Sequence, residues 1–143
     1  MLGSTLAGVA FSNASVALVH GMSRTIVAFY HVPHGLSNAM LLPTVTEYSI
    51  PAAAERYADC ARAIGIADSS DNTKQANQKL MEELYALNDE LQVPTLEAFG
   101  VDREHFFSNL ETMATQALAS GSPSNNPRIP DVDEMIELYK KLW

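Results

Sequence analysis

The sequence predicts an all-α fold, a bundle of about six or seven helices, and three observations lead to that prediction. Apolar residues recur at helical spacing through nearly the whole chain. A sustained alternation of apolar and polar residues, which would indicate half-buried strands, is absent. Residues that begin or end helices punctuate the chain at Pro33, Pro51, Gly65, Pro94 and Gly100. With 143 residues, the chain fits one domain covering residues 1–143 and is long enough to bury a core.

The N-terminal part of the chain is predicted to contain two helices, separated by a segment that could be a short helix or a bend. Residues 4–23 are expected to form a buried helix whose glycines and alanines let other backbones come close. Residues 25–31 favour either a short helix or a bend, because three of them in a row are β-branched. Pro33 restarts the chain, since proline pushes the preceding residue toward an extended conformation and suits the first turn of a helix. The next helix is predicted over residues 34–48, with a kink near Pro43.

The C-terminal half follows the same rules. Pro51 opens a helix that Gly65 closes, and Cys60 on this helix is expected to be a core residue. The most regular amphipathic helix is predicted over residues 73–91, with an apolar stripe at Leu80, Leu84, Leu87 and Leu91. The remaining predicted elements are a short helical turn before Gly100, a helix over 103–119, an irregular loop over 120–130 and a terminal helix over 131–142.

Composition excludes several classes of partner. The net charge of −8 argues against nucleic acid and against anionic membrane surfaces, both of which attract basic proteins. The apolar start lacks the basic region of a signal peptide, and polar residues interrupt it before it could span a membrane. A single cysteine cannot form an internal disulfide and fits a reducing compartment. We therefore expect a soluble, cytoplasmic protein.

Charge is distributed very unevenly along the chain. All 17 acidic residues lie at or after Glu47, and Arg24 is the only charged side chain before it. A domain of this size has too little interior to hide such a long uncharged segment. Extended apolar surface usually marks a missing partner, which could be another domain, another subunit or both. The N-terminal third is therefore expected to lie inside something larger, with a homodimer of helical subunits as the alternative.

The segment "VHGMSRTIVAFYHVPHGLSNAMLLP", residues 19–43, carries three of the four histidines and no carboxylate. On one unbroken helix, His20 and His34 would lie about 21 Å apart, too far to share an ion. A turn before Pro33 would bring the two imidazoles together, and Gly21 and Gly35 would leave room for a backbone, ion or ligand. Both histidines are thus candidate metal ligands, although a hydrogen-bonded histidine in an apolar core is the common alternative.

Two histidines do not complete a catalytic metal site, which takes three or four protein ligands. Either the remaining ligands lie in sequence beyond this chain or no metal binds. His31 is interpreted as a neighbour of the site or as an exposed residue beside the turn, and His105 as a surface residue. Arg24 is interpreted either as a hydrogen-bond anchor or as a binder of a carboxylate or phosphate.

The segment "GVAFSNASVALVHGMSRTIVAFYHVPHGLSNAMLLP" resembles the C-terminal helical domain of the iron-dependent (group III) alcohol dehydrogenases. The resemblance rests on an apolar helix reaching "HGM", then "PHG" fourteen positions after the first histidine, then "NAMLLP". It continues through "RYADCARAIG", "VPTLEAFGV" and "NNPR", and so covers the whole chain.

This resemblance implies a two-domain oxidoreductase of which the chain is the C-terminal part. It implies that an N-terminal α/β domain, absent here, binds NAD or NADP, and that Fe²⁺, or sometimes Zn²⁺, is held by an upstream Asp and His together with His20 and His34. The metal would polarise a short alcohol or aldehyde during hydride transfer. We therefore expect the isolated chain to be inactive.

One departure from the family pattern concerns proton handling. Many members have a further histidine four residues after the first ligand, where this chain has Arg24, which cannot exchange a proton at ordinary pH. We therefore expect Arg24 to position an anionic group or water, and His31 to take over some proton handling. Two alternatives remain: a non-catalytic helical module that forms a homo-oligomer, and a domain of a related glycerol dehydrogenase or dehydroquinate synthase-like enzyme.

Overall fold

The computed structural model describes residues 1–143 and contains helices and loops without any strand, which confirms the all-α prediction. Seven α-helices and one short 3-10 turn follow one another along the chain. They are α1 (Leu2–Ala14), α2 (Leu18–Tyr30), α3 (His34–Ala63), α4 (Thr73–Glu90), α5 (Leu96–Phe99), α6 (Arg103–Ala119), the 3-10 turn (Ser122–Asn125) and α7 (Val132–Lys140).

Helices α4, α6 and α7 each begin where the sequence supplies a side-chain cap. Asn72 and Asp131 each form a reciprocal capping box with the residue three positions later, at the starts of α4 and α7. Asp102 caps α6 by accepting a hydrogen bond from the backbone N–H of His105. These bonds satisfy amide groups that have no partner within the helix. The starts predicted for these helices are therefore confirmed to within one residue.

The main core lies where α2, the first half of α3, α6 and α7 meet. Its largest fully buried side chains include Met22 and Ile26 from α2, Leu41 from α3, Phe106 from α6 and Tyr139 from α7. A second, smaller cluster consists mainly of alanines, where the last part of α3 packs on α4. Helix α2 therefore packs against several other helices. This packing fixes the position of the residues that precede the turn at Pro33.

The helix predicted over residues 4–23 is wrong in both extent and burial. The chain breaks after Ala14, where Ser15 has a positive φ of 65°, and α1 and α2 are bent by 98°. Helix α1 contains no buried residue, and Leu2, Leu6, Val9 and Phe11 are between 52% and 74% exposed. Periodicity identified a helix but not its surroundings, because nothing in this chain covers α1. No single helix is long and apolar enough to cross a bilayer; only the bent pair α1 and α2 meets that test together.

Three smaller expectations also need correction. Helix α3 leaves helical torsion angles at Ala53, two residues after Pro51, and not at Pro43, which is buried within a regular stretch. Cys60 is exposed and does not belong to the core. On α4 the apolar stripe is buried only at its start: Leu80 is 5% exposed, whereas the last two leucines of the stripe are 44% and 65% exposed. The ambiguous segment 25–31 is helical as far as Tyr30.

The Tyr139 hydroxyl provides a test of how α7 is fixed to α2. It lies 2.6 Å from Thr25 Oγ1 and donates to the carbonyl oxygen of Met22 at 3.2 Å, in a fully buried position. Tyr139→Phe should lower the free energy of unfolding by about 1 kcal/mol, because a buried hydrogen bond is lost with no water to replace it. Urea denaturation followed by circular dichroism measures this, with the exposed Tyr85→Phe as the control. Equal stabilities of the two variants would contradict the role of the hydroxyl.

Candidate metal centre

The chain reverses direction between α2 and α3, as predicted from Pro33. Helix α2 ends at Tyr30, and His31 adopts the left-handed conformation, with φ of 56°, while its N–H donates to the Val27 carbonyl. Pro33 then precedes α3 with φ of −52°, which its ring favours. The reversal brings the rings of His20 and His34 to a centroid separation of 5.3 Å, with an interplanar angle of 58°.

This separation suits two imidazoles that share one ion. A histidine nitrogen coordinates zinc at about 2.1 Å, so two rings on one cation have centroids on the order of 5 Å apart. The chain contains no group of three or more histidine, cysteine or acidic side chains that could hold a metal. It therefore supplies two imidazole donors, and the rest of a complete ligand set is not present among its residues.

His20 lies half-buried on α2, next to a concentration of positive charge. Its pKa is lowered from the usual value, first by burial, then by the nearby His34 and then by Arg24. No carboxylate offsets these effects in the surrounding segment. The imidazole of His20 is therefore neutral at physiological pH, which is the form that can coordinate a metal ion.

His34 lies in the first turn of α3, and both of its ring nitrogens have hydrogen-bond partners. Nδ1 lies 3.2 Å from the hydroxyl oxygen of Ser23, and Nε2 accepts from the Asn38 side-chain amide at 3.2 Å. Ser23 is fully buried and also contacts Ser37, which is fully buried too. The ring orientation is thus fixed from both sides by the protein.

Ser23, Ser37 and Asn38 are site residues that the sequence interpretation missed. Ser23 follows His20 by three positions on α2, while Ser37 and Asn38 follow His34 by three and four positions on α3. Residues with these spacings lie on the same face of a helix. Helical spacing from each candidate ligand was the available signal, but serine and asparagine are too common for that signal to be specific.

A pocket of about 480 Å³ adjoins His20. Its walls are mainly apolar, and Asn38 is one of the few polar residues that line it. The Asn38 side-chain oxygen is buried without a hydrogen-bond partner. The mainly apolar walls of the pocket suit a small molecule with a hydrocarbon part.

Arg24 lies one turn after His20 and is exposed. Its guanidinium donates to the Ser122 hydroxyl at 3.1 Å and forms no ion pair. The 3-10 turn also packs closely on α2, since a Cβ atom at Gly21 would lie 2.9 Å from Pro123 Cγ. Gly21 therefore makes room for a proline and not for an ion. Gly35, in contrast, has open space around it.

The remaining histidines lie apart from the pair. His31 is exposed at the end of α2 and makes neither a side-chain hydrogen bond nor a ring contact with His20 or His34. His105 is exposed on α6, as expected, and its ring meets Tyr30 edge-on at 5.5 Å.

The fold and the paired imidazoles together define a helical domain in which two histidine rings meet at a chain reversal. Comparison with known protein families identifies the family to which this domain belongs. The family described as "Fe-containing alcohol dehydrogenase family, C-terminal" matches residues 1–143, and the chain belongs to this family.

Individual relatives agree with this assignment. Lactaldehyde reductase from Escherichia coli (strain K12) is 36% identical over 143 residues, which is 99% of this chain and 36% of that protein. NADPH-dependent butanol dehydrogenase from Clostridium saccharobutylicum is 32% identical, over 96% of this chain and 35% of that protein. The crystal structure of a 1,3-propanediol oxidoreductase superposes with a TM-score of 0.88 at 32% identity, covering 96% of this chain and 35% of that one. The chain thus spans about a third of the length of these relatives.

The contact between Gly21 and Pro123 leads to a stability prediction. Gly21→Ala should lower the free energy of unfolding by about 1–3 kcal/mol, because the added methyl group overpacks against a rigid proline ring. Gly35→Ala is the matched control, since it adds the same group to a helix in open space and should be neutral or stabilising by up to about 1 kcal/mol. Thermal and urea denaturation of both variants measure the difference. A loss for Gly35→Ala as large as that for Gly21→Ala would contradict the packing explanation.

Proposed function

We propose that residues 1–143 form one domain, the metal-binding helical domain of an NAD- or NADP-linked alcohol dehydrogenase or aldehyde reductase. His20 and His34 are the proposed ligands of Fe²⁺, or of Zn²⁺ in its place. The observation that carries this proposal is the 5.3 Å approach of the two rings in a chain of this family. Imidazole is a suitable ligand for either metal.

In the proposed enzyme, this chain contributes two of the metal ligands and the walls of the substrate pocket. The divalent cation, when bound, supplies Lewis-acid polarisation of an alcohol or aldehyde oxygen. The pocket beside His20 would receive the hydrocarbon part of a short substrate and exclude water from it. Hydride chemistry belongs to the nicotinamide, which a separate nucleotide-binding domain would hold. The chain by itself is therefore expected to be catalytically silent.

Arg24 and His31 complete the proposed site, with different tasks. Arg24 would orient an anionic group of the cofactor or substrate, or a water molecule. Its exposed guanidinium has only a neutral serine as partner, so its charge remains available. His31 would exchange protons with solvent near the reacting groups, which its exposure permits.

The exposed apolar side chains of helix α1 favour the presence of a packing partner. Its large apolar side chains are uncharged and lie in water in this chain. The proposed partners are the nucleotide-binding domain and, in a homo-oligomer, a second subunit, with no role for nucleic acid or membrane. A cytoplasmic location fits the single free cysteine. A homo-oligomeric module without metal remains the second candidate, and only the uncovered face of α1 favours it.

Metal titration of the 143-residue chain tests the assignment of the ligands. Co²⁺, added under anaerobic conditions, gives absorption bands that report on coordinated imidazole. His20→Gln and His34→Gln should each weaken binding at least about 10-fold, because each removes one of the two donors. His105→Gln is the matched control, an equally conservative change at an exposed histidine outside the pair. Equal weakening by all three substitutions would show only adventitious binding and would contradict the proposal.

The role of His31 requires a polypeptide that also contains the nucleotide-binding domain. In that enzyme, His31→Gln should displace one limb of the pH–rate profile, because it removes the imidazole that is proposed to take part in proton transfer. The profile of kcat against pH for alcohol oxidation is the measurement. A profile identical to that of the unmodified enzyme would remove His31 from the mechanism and leave the assignment of His20 and His34 untouched.

A further inference from the structure

A closed chain of hydrogen bonds begins and ends on His34. Its ring Nδ1 lies 3.2 Å from Ser23 Oγ, and that oxygen lies 2.5 Å from Ser37 Oγ. The Ser37 hydroxyl in turn donates to the backbone carbonyl of His34 at 3.0 Å. Both serines are fully buried, whereas His34 itself is exposed.

The available protons fix the direction of every bond in this chain. A carbonyl oxygen only accepts, so the single proton of the Ser37 hydroxyl goes to His34. Ser37 can then only accept from Ser23, which uses the single proton of that hydroxyl. Ser23 has no proton left for the imidazole and must accept one. The hydroxyl chain therefore requires that Nδ1 of His34 carries the ring proton.

The contact at the other ring nitrogen of His34 also indicates that Nδ1 carries the proton. The Asn38 side-chain nitrogen is 3.2 Å from Nε2 of His34, and an amide nitrogen only donates. Nε2 must therefore carry the lone pair. A neutral imidazole has one protonated nitrogen, so the contacts at the two nitrogens are mutually consistent.

We propose that Ser23 and Ser37 are positioning residues that hold His34 in the Nδ1-protonated tautomer. The lone pair on Nε2 is then the donor for a cation once the Asn38 amide, which contacts Nε2 at 3.2 Å here, moves aside. This inference rests on the proposed function, in which that donor atom meets a divalent cation. Metal-ligating histidines usually donate their other ring N–H to a polar group that fixes tautomer and orientation. Here the hydroxyl of Ser23 accepts that ring N–H, and the hydroxyl of Ser37 links Ser23 to the backbone carbonyl of His34. A carboxylate in that place would instead bring a negative charge into the core.

The tautomer can be read directly in the metal-free chain. The protein is labelled with ¹⁵N in its histidine rings and studied at about pH 8, where imidazoles of ordinary pKa are neutral. Long-range ¹H–¹⁵N correlation distinguishes a protonated ring nitrogen from one with a lone pair, and loss of signals in His34→Gln assigns His34. We expect a protonated Nδ1 and an unprotonated Nε2. The opposite tautomer in the unmodified chain would overturn the proposal without any further variant.

Two serine variants test whether the hydroxyls cause this preference. Ser37→Ala frees the Ser23 proton for donation to Nδ1, and Ser23→Ala removes the acceptor. Both should shift His34 toward the Nε2-protonated form, while the signals of His31 and His105 report that the fold is intact. Ser49→Ala is the matched control, a fully buried serine that donates to its own helix at the Val45 carbonyl. An unchanged tautomer in both variants, or an equal shift in Ser49→Ala, would contradict the proposal.

Co²⁺ titration of the same variants separates this inference from the function on which it rests. Ser23→Ala and Ser37→Ala should weaken Co²⁺ binding by about 10- to 100-fold, the usual effect of removing a group that orients a ligand. If Ser49→Ala lowered the Co²⁺ affinity as much as Ser23→Ala and Ser37→Ala do, the positioning role of the two serines would be overturned. If the unmodified chain showed the expected tautomer but no His34-dependent Co²⁺ binding, the metal assignment would fail while the hydroxyl chain stood.

Discussion

The chain reversal between Tyr30 and His34 is the constraint on which the site depends. Two features produce it: the left-handed residue His31 ends α2, and Pro33, whose ring fixes φ, immediately precedes α3. Without the reversal, the two imidazoles would lie on opposite ends of a long helix, about 21 Å apart. With it, they face each other at 5.3 Å. The core packing around α2 and the first half of α3 then holds this arrangement in place.

The electrostatics of the site follow from the absence of carboxylates in the first third of the chain. His20 is kept neutral mainly by its burial, with smaller contributions from His34 and Arg24. A nearby aspartate or glutamate would have the opposite effect, because it favours the protonated imidazole. The same absence leaves Arg24 with only a serine hydroxyl as partner. The segment therefore combines two neighbouring imidazoles with one guanidinium that no carboxylate pairs.

Local signals in the sequence were sufficient for the starts of α4, α6 and α7 and for the approach of the two histidine rings. Caps such as Asn72 and Asp131, and the proline at position 33, act within a few residues, so they can be recognised without knowledge of the fold. Burial could not be predicted in the same way. Helix α1 has the composition of a core helix but lies in water, since its surroundings depend on packing that periodicity does not encode. The hydroxyl chain around His34 was also beyond prediction, because it depends on the relative placement of α2 and α3 to within an ångström.

Helix α2 is held in place by residues that lie far along the chain, so the site can form only after those residues have been synthesised. Its partners Ser122, Pro123 and Tyr139 lie about a hundred residues further along the chain. Long-range contacts of this kind close late, since the intervening polypeptide must first be made and brought back. A nascent chain emerging from the ribosome would therefore leave the part of α2 that these residues contact uncovered until its last helix is complete. Until then, that part of α2 is open to a chaperone or to an earlier-folded neighbour.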